Sequence, residues 1–118
     1  MTLQFIEPGA RMSQAVIHGN TVYLAGQVAA DPSTDMSDQT RQTLAQIDDL
    51  LQRAGTDKHH LISAQVWVSD MSEFAAMNEV WDAWVSPQRP PVRAAVQAVL
   101  AKPEWKVEMM VIAALPEN

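Results

Sequence analysis

The sequence predicts an α+β fold, a mixed β-sheet with two helices packed on one face. Three features carry this: two segments with helical apolar spacing, short β-prone runs flanking each, and a strand-to-helix succession that occurs twice. At 118 residues the chain suits a single domain over 1–118, since two cores would each be too small to be stable. Its 47% hydrophobic and 19% charged residues are ordinary for a globular protein.

The first elements are two β-prone runs, Ala15-Val16-Ile17 and Thr21 to Ala25, separated by His18-Gly19-Asn20. Gly-Asn between such runs predicts a hairpin turn, because both residues tolerate positive φ. Asp31-Pro32-Ser33-Thr34-Asp35 follows as a loop. From Ser37 the period changes, and Thr40, Leu44, Ile47 and Leu51 make the apolar face of a helix. Asp35 or Ser37 caps its start and Gly55 ends it in the left-handed conformation. Leu61 to Val68 reads as a strand, with Ile62, Ala64, Val66 and Val68 on one face and Leu61 and Trp67 on the other. The second helix has Asp70 or Ser72 as cap, Glu73 in its first turn and Phe74, Met77, Val80, Trp81 and Trp84 as its stripe. Pro87-Gln88-Arg89-Pro90-Pro91 stops it. Strands over Val92 to Leu100 and Trp105 to Leu115 complete the order β-β-α-β-α-β-β.

Two helices cover one face of such a sheet, yet apolar residues point both ways: Leu61, Trp67, Met110 and Ile112 lie opposite Ile62, Val66, Met109 and Val111. An apolar patch of that size is unusual on a monomer, so the second face is expected to be buried against identical subunits.

The remaining features exclude whole classes. A net charge of −6 without a Lys/Arg cluster argues against nucleic acid as partner. The absence of cysteine removes disulfides, thiolate metal sites and thiol nucleophiles. Met1 to Ala10 shows no basic and apolar leader pattern, and the longest apolar run, Met109 to Leu115, is far short of the roughly 20 residues that span a bilayer. A soluble, cytoplasmic protein without a membrane partner is expected. His18, His59 and His60 lack zinc-site spacing and read as solvated loop residues. Neither a Gly-x-Gly-x-x-Gly nor a Walker loop nor a Gly-x-Ser-x-Gly elbow occurs.

Two charged residues interrupt apolar strands. Arg93 alternates with Val92 and shares a face with the small Ala95, which leaves room in front of it; Glu108 points to the face of Met110 and Ile112. On spacing alone, a structural salt bridge between them, or an arginine simply exposed on an edge strand, is the favoured reading. The sharper reading gives Arg93 a planar fork for a substrate carboxylate and Glu108 a proton-handling role on water. Asn78, beside the stripe of the second helix, can present its amide to a ligand or be an ordinary boundary residue. Trp67, Trp81, Trp84 and Trp105 are assigned to core or interface packing.

The chain resembles the RidA/YjgF family of reactive imine/enamine deaminases from Met12 to Ala114. The matching pieces are Ser13 to Val16, Gly19 to Gln27, Gln42-Thr43-Leu44, Asp70 to Asn78, Pro91-Val92-Arg93 and Val107-Glu108 leading into Ile112-Ala113. Ala75 to Asn78, Trp81 to Val85 and Lys106-Val107-Glu108 look closest to the YoaB-like branch. The resemblance implies a chorismate-mutase-like α+β fold assembled as a homotrimer, with ligand clefts between subunits. It implies that Arg93 binds the carboxylate of a 2-imino acid and Glu108 positions the hydrolytic water. Asn78 would line the cleft, and backbone groups at Gly26 and Ala95 would contact the ligand. No metal or organic cofactor is implied.

The chain departs from the common pattern at Met12, where tyrosine is common, at Ala25, where a hydroxyl residue is common, at Ala95, where cysteine is common, and at Met110, where a second acid is common. A more apolar cleft is expected. The expected reaction is deamination of 2-imino acids to 2-oxo acids and ammonia. The alternative is a non-catalytic protein that senses a small carboxylate such as a 2-oxo acid, and the acidic balance argues against an endoribonuclease.

Overall fold

In the computed structural model, which describes residues 2–117, the expected hairpin forms between β2 (Ser13–His18) and β3 (Thr21–Leu24). Met1 and Asn118, the ends of the expected 1–118 domain, lie outside the described residues. His18 pairs with Thr21, so Gly19-Asn20 is a two-residue loop, in which Gly19 takes a positive φ of 62°. A further strand precedes the hairpin: β1 (Leu3–Pro8) pairs antiparallel with β2 at the sheet edge. The sequence gives little sign of it, because adjacent Phe5 and Ile6 break the period of two and an edge strand buries little.

The first helix, α1, spans Met36–Ala54. Asp35 rather than Ser37 is its cap, the carboxylate accepting from the Asp38 amide at 2.9 Å. Gly55, at φ 93°, closes it as expected. After a short turn at Lys58–His60 come β4 (Leu61–Val68), a single turn at Met71–Glu73 capped by Asp70, and α2 (Phe74–Trp84). The chain then forms β5 (Val92–Gln97) and β6 (Val107–Ala114), both shorter than expected. β5 ends where its partner does: the Ala98 amide donates to the Val68 carbonyl at 3.0 Å, and Val99 is fully exposed beyond it.

The strands form one sheet in the order β1-β2-β3-β6-β4-β5, antiparallel except for the β4–β5 pair, which α2 connects. Both helices pack on one face. Ile47, Leu51 and Met77 meet Val22, Val66, Met109 and Val111 there, all fully buried, and each such side chain contributes about 1.5–3 kcal/mol. One expectation is corrected: the pairing of β4 with β6 shifts between Leu61 and Ser63, so Leu61 is buried and Ile62 is 46% exposed, the reverse of strict alternation.

On the other face, Phe5, Val16, Tyr23 and Ile112 form one row across four strands, Phe5 and Tyr23 exposed and Val16 and Ile112 half-buried, with Met110 and Val96 exposed beside it. Buried Gln39 fixes the approach to β6: its amide donates to the carbonyls of Pro32, Thr34 and Glu104 and its oxygen accepts from the Lys106 amide, two residues before Glu108. Among the described residues no helix is long and apolar enough to cross a membrane.

Candidate functional site

The predicted site residues fall into two groups on opposite faces of the sheet. In the parallel pairing of β5 with β4, Arg93 lies beside Ala64 and Ala95 beside Val66, so both share the helix-covered face. Phe74, Asn78 and Trp81 are four and three residues apart on α2 and form a single stripe above them. Nη1 of Arg93 donates to Oδ1 of Asn78 at 2.8 Å. The guanidinium carbon lies 5.2 Å from the Trp81 ring centre and 5.8 Å from that of Phe74. Arg93 itself is exposed at the free edge of the sheet, and it lines a recess of about 250 Å³ with Ser63, Gln65 and Ala94.

Glu108 pairs with Trp67 and sits between buried Val107 and Met109, so it points away from the helices. The backbone of Gln27 exchanges hydrogen bonds with that of Met109 at 2.8 and 3.0 Å, which draws Gly26 alongside the Glu108 carboxylate. A methyl group on Gly26 would overlap that carboxylate, which only glycine lets approach so closely. Burial pushes the Glu108 carboxyl above its ordinary pKa. Among the described residues its side chain makes no hydrogen bond that would oppose this. Ala25, half-buried, precedes Gly26, and Met12, exposed, lies in the β1–β2 turn.

The salt bridge that spacing favoured between Arg93 and Glu108 is therefore not formed, because the two side chains leave the sheet in opposite directions. The other structural alternative, an exposed arginine on an edge strand, holds for the edge position, but the guanidinium is held by α2 rather than left free. Sequence reasoning missed the part of Phe74 and Trp81, which it assigned to packing; the available signal was their helical spacing around Asn78. Trp84 and Trp105 also use their polar ends, donating to Asp48 and to the Ala29 carbonyl. His60 is not simply solvated, since its ring pairs with Asp57 at 2.9 Å. Among the described residues no group of three or more His, Cys, Asp or Glu side chains could hold a metal ion.

A family model described as Endoribonuclease L-PSP matches residues 2–115. This chain belongs to the YjgF/RidA family. It is 44% identical to the RutC family protein YoaB of Escherichia coli, over 98% of this chain and 100% of that one. A solved YjgF-family structure from Neisseria meningitidis superposes with a TM-score of 0.97 at 39% identity, covering 100% of this chain and 98% of the other. A protein of the conserved Rid family from Yersinia pestis superposes with a TM-score of 0.89 at 27% identity, covering 97% and 100%.

Proposed function

We propose that this YjgF/RidA protein hydrolyses reactive 2-imino acids and their enamine tautomers to 2-oxo acids and ammonia, in clefts between the copies of a homotrimer. The observation that carries this is the division of the site. The Arg93 and Glu108 groups point away from one another in a single chain, while the apolar face that bears Glu108 is left uncovered. Packing that face on a second copy buries the apolar row and sets Glu108 of one copy against Arg93 of the next.

In such a cleft the guanidinium binds the substrate carboxylate as a fork. The imine carbon, electrophilic once its nitrogen is protonated, is attacked by water. Glu108 takes a proton from that water as the C–O bond forms, giving a carbinolamine. Glu108 returns that proton to nitrogen; as the C–N bond breaks, the hydroxyl gives its own proton to Glu108, from which the departing ammonia takes it as ammonium, leaving the 2-oxo acid and the free carboxylate. Backbone groups at Gly26 and Ala95 and the Asn78 amide orient the substrate. A raised pKa suits Glu108 to both halves of this exchange. Because Met12, Ala25, Ala95 and Met110 replace more polar or reactive groups common in relatives, bulkier apolar imino acids are the preferred substrates.

The test generates an imino acid in place with an amino-acid oxidase and measures ammonia release above the spontaneous rate. Acceleration is expected, with leucine-derived imines turned over better than the smallest substrate. Arg93→Ala is expected to raise KM by about tenfold to a hundredfold, the value of a charge-assisted hydrogen bond. Binding of a 2-oxo acid without any acceleration would select the sensing alternative.

A further inference from the structure

The aromatic stripe of α2 does more than pack. An arginine at a free sheet edge has many rotamers, and a cleft that must capture a small anion works best when the guanidinium is already in place. A carboxylate could hold it, but would neutralise the charge and have to be displaced by the incoming ligand. Ring faces and a neutral amide hold it without consuming its charge. This chain uses the second arrangement. Among the described residues Arg93 makes no ion pair. One of its five N–H donors is spent on Asn78, and the cation rests over Trp81 and Phe74.

The clamp is itself anchored. Trp81 is 6% exposed and packs tilted on Trp84 with ring centres 5.4 Å apart, and the Trp84 indole donates to Asp48 of α1 at 3.0 Å. We infer that Trp81, with Phe74 and the Asn78 amide, forms a charge-neutral clamp that holds Arg93 ready for an anionic ligand. Trp81 is then a positioning residue that acts through Arg93. This rests on the proposed carboxylate role of Arg93 and adds what keeps that arginine both ordered and unneutralised.

Calorimetric titration with 2-oxobutanoate, paired with steady-state kinetics and melting curves, tests the clamp. Trp81→Leu is expected to raise Kd and KM together by about twofold to thirtyfold, the range of a cation–π contact, with kcat held, and Trp81→Phe to restore most of the affinity. Asn78→Asp keeps the shape and the hydrogen bond but adds a negative charge; it is expected to weaken binding by about tenfold, more than Asn78→Ala does. Wild-type affinity in Asn78→Asp, or in a folded Trp81→Leu, overturns the clamp while leaving the role of Arg93 intact. If Trp81→Leu does not fold, Asn78→Asp decides alone. Should the wild-type protein bind no 2-oxobutanoate, the clamp falls together with the carboxylate role; should it bind without deaminating, only the catalytic reading falls.

Discussion

The two halves of the candidate site solve opposite problems. Arg93 is exposed, permanently charged and held by three side chains of α2. Glu108 is half-buried and has beside it the bare backbone of Gly26, so its surroundings withhold solvent instead of supplying partners. A binding group needs fixed charge and fixed position, which contacts provide. A group that must take up as well as release a proton needs its ionised form made less comfortable, which burial provides.

This contrast is tested most strongly at Glu108. Glu108→Gln is expected to lower turnover by about a hundredfold to ten-thousandfold while leaving affinity for 2-oxobutanoate near that of the wild type. In the wild type, the acid limb of kcat/KM should lie above the ordinary glutamate value of 4.5, since the folded carboxyl is raised by burial. The same shift fixes the sign of the stability effect. A carboxyl raised on folding favours the native state below its unfolded pKa, and that contribution is lost as pH rises through the folded value. At neutral pH, Glu108→Gln should therefore melt no lower than the wild type. A lower melting temperature would mean that the carboxylate is a structural acceptor.

Mixing two impaired variants, assayed at substrate well below KM, asks whether the halves meet between copies. Equal amounts of Arg93→Ala and Glu108→Gln, unfolded and refolded together, would place an intact Glu108 against an intact Arg93 at about one quarter of the sites in a closed ring. Recovery toward that fraction is expected from two preparations that are each near background. No recovery, with mixed trimers confirmed by mass, would place both residues of a site on one chain.

Much of this was legible in the sequence because both groups interrupt strong patterns. Arg93 and Glu108 break apolar strands, and alternation alone puts Arg93 with Ala95 and Glu108 with Met110, as the structure has them. Alternation within one strand does not relate the faces of two strands. That needed the register of β4 with both β5 and β6, which sequence patterns do not carry. The same limit explains Leu61 and Ile62, exchanged by a one-residue shift, and β1, whose pairing supplies a stability that its own pattern does not advertise. The contact of Gly26 with Glu108 was invisible for a related reason: it depends on the isolated bridge between Gln27 and Met109.

That contact gives the smallest of the expected effects and separates the two halves most cleanly. Gly26 does not use the left-handed backbone region, so alanine there meets no φ penalty, and the atoms nearest its added methyl all belong to the Glu108 side chain. Gly26→Ala should lower kcat by about tenfold, as a displaced proton-transfer group would, with KM and the oxo-acid affinity set by Arg93 nearly unchanged. Because the effect runs through the carboxylate, Gly26→Ala combined with Glu108→Gln should be no slower than Glu108→Gln alone. Additive losses would show that the methyl also disturbs the contact of the Gly26 backbone with the substrate, so that the Glu108 half of the cleft carries part of the orienting work as well as the proton transfer.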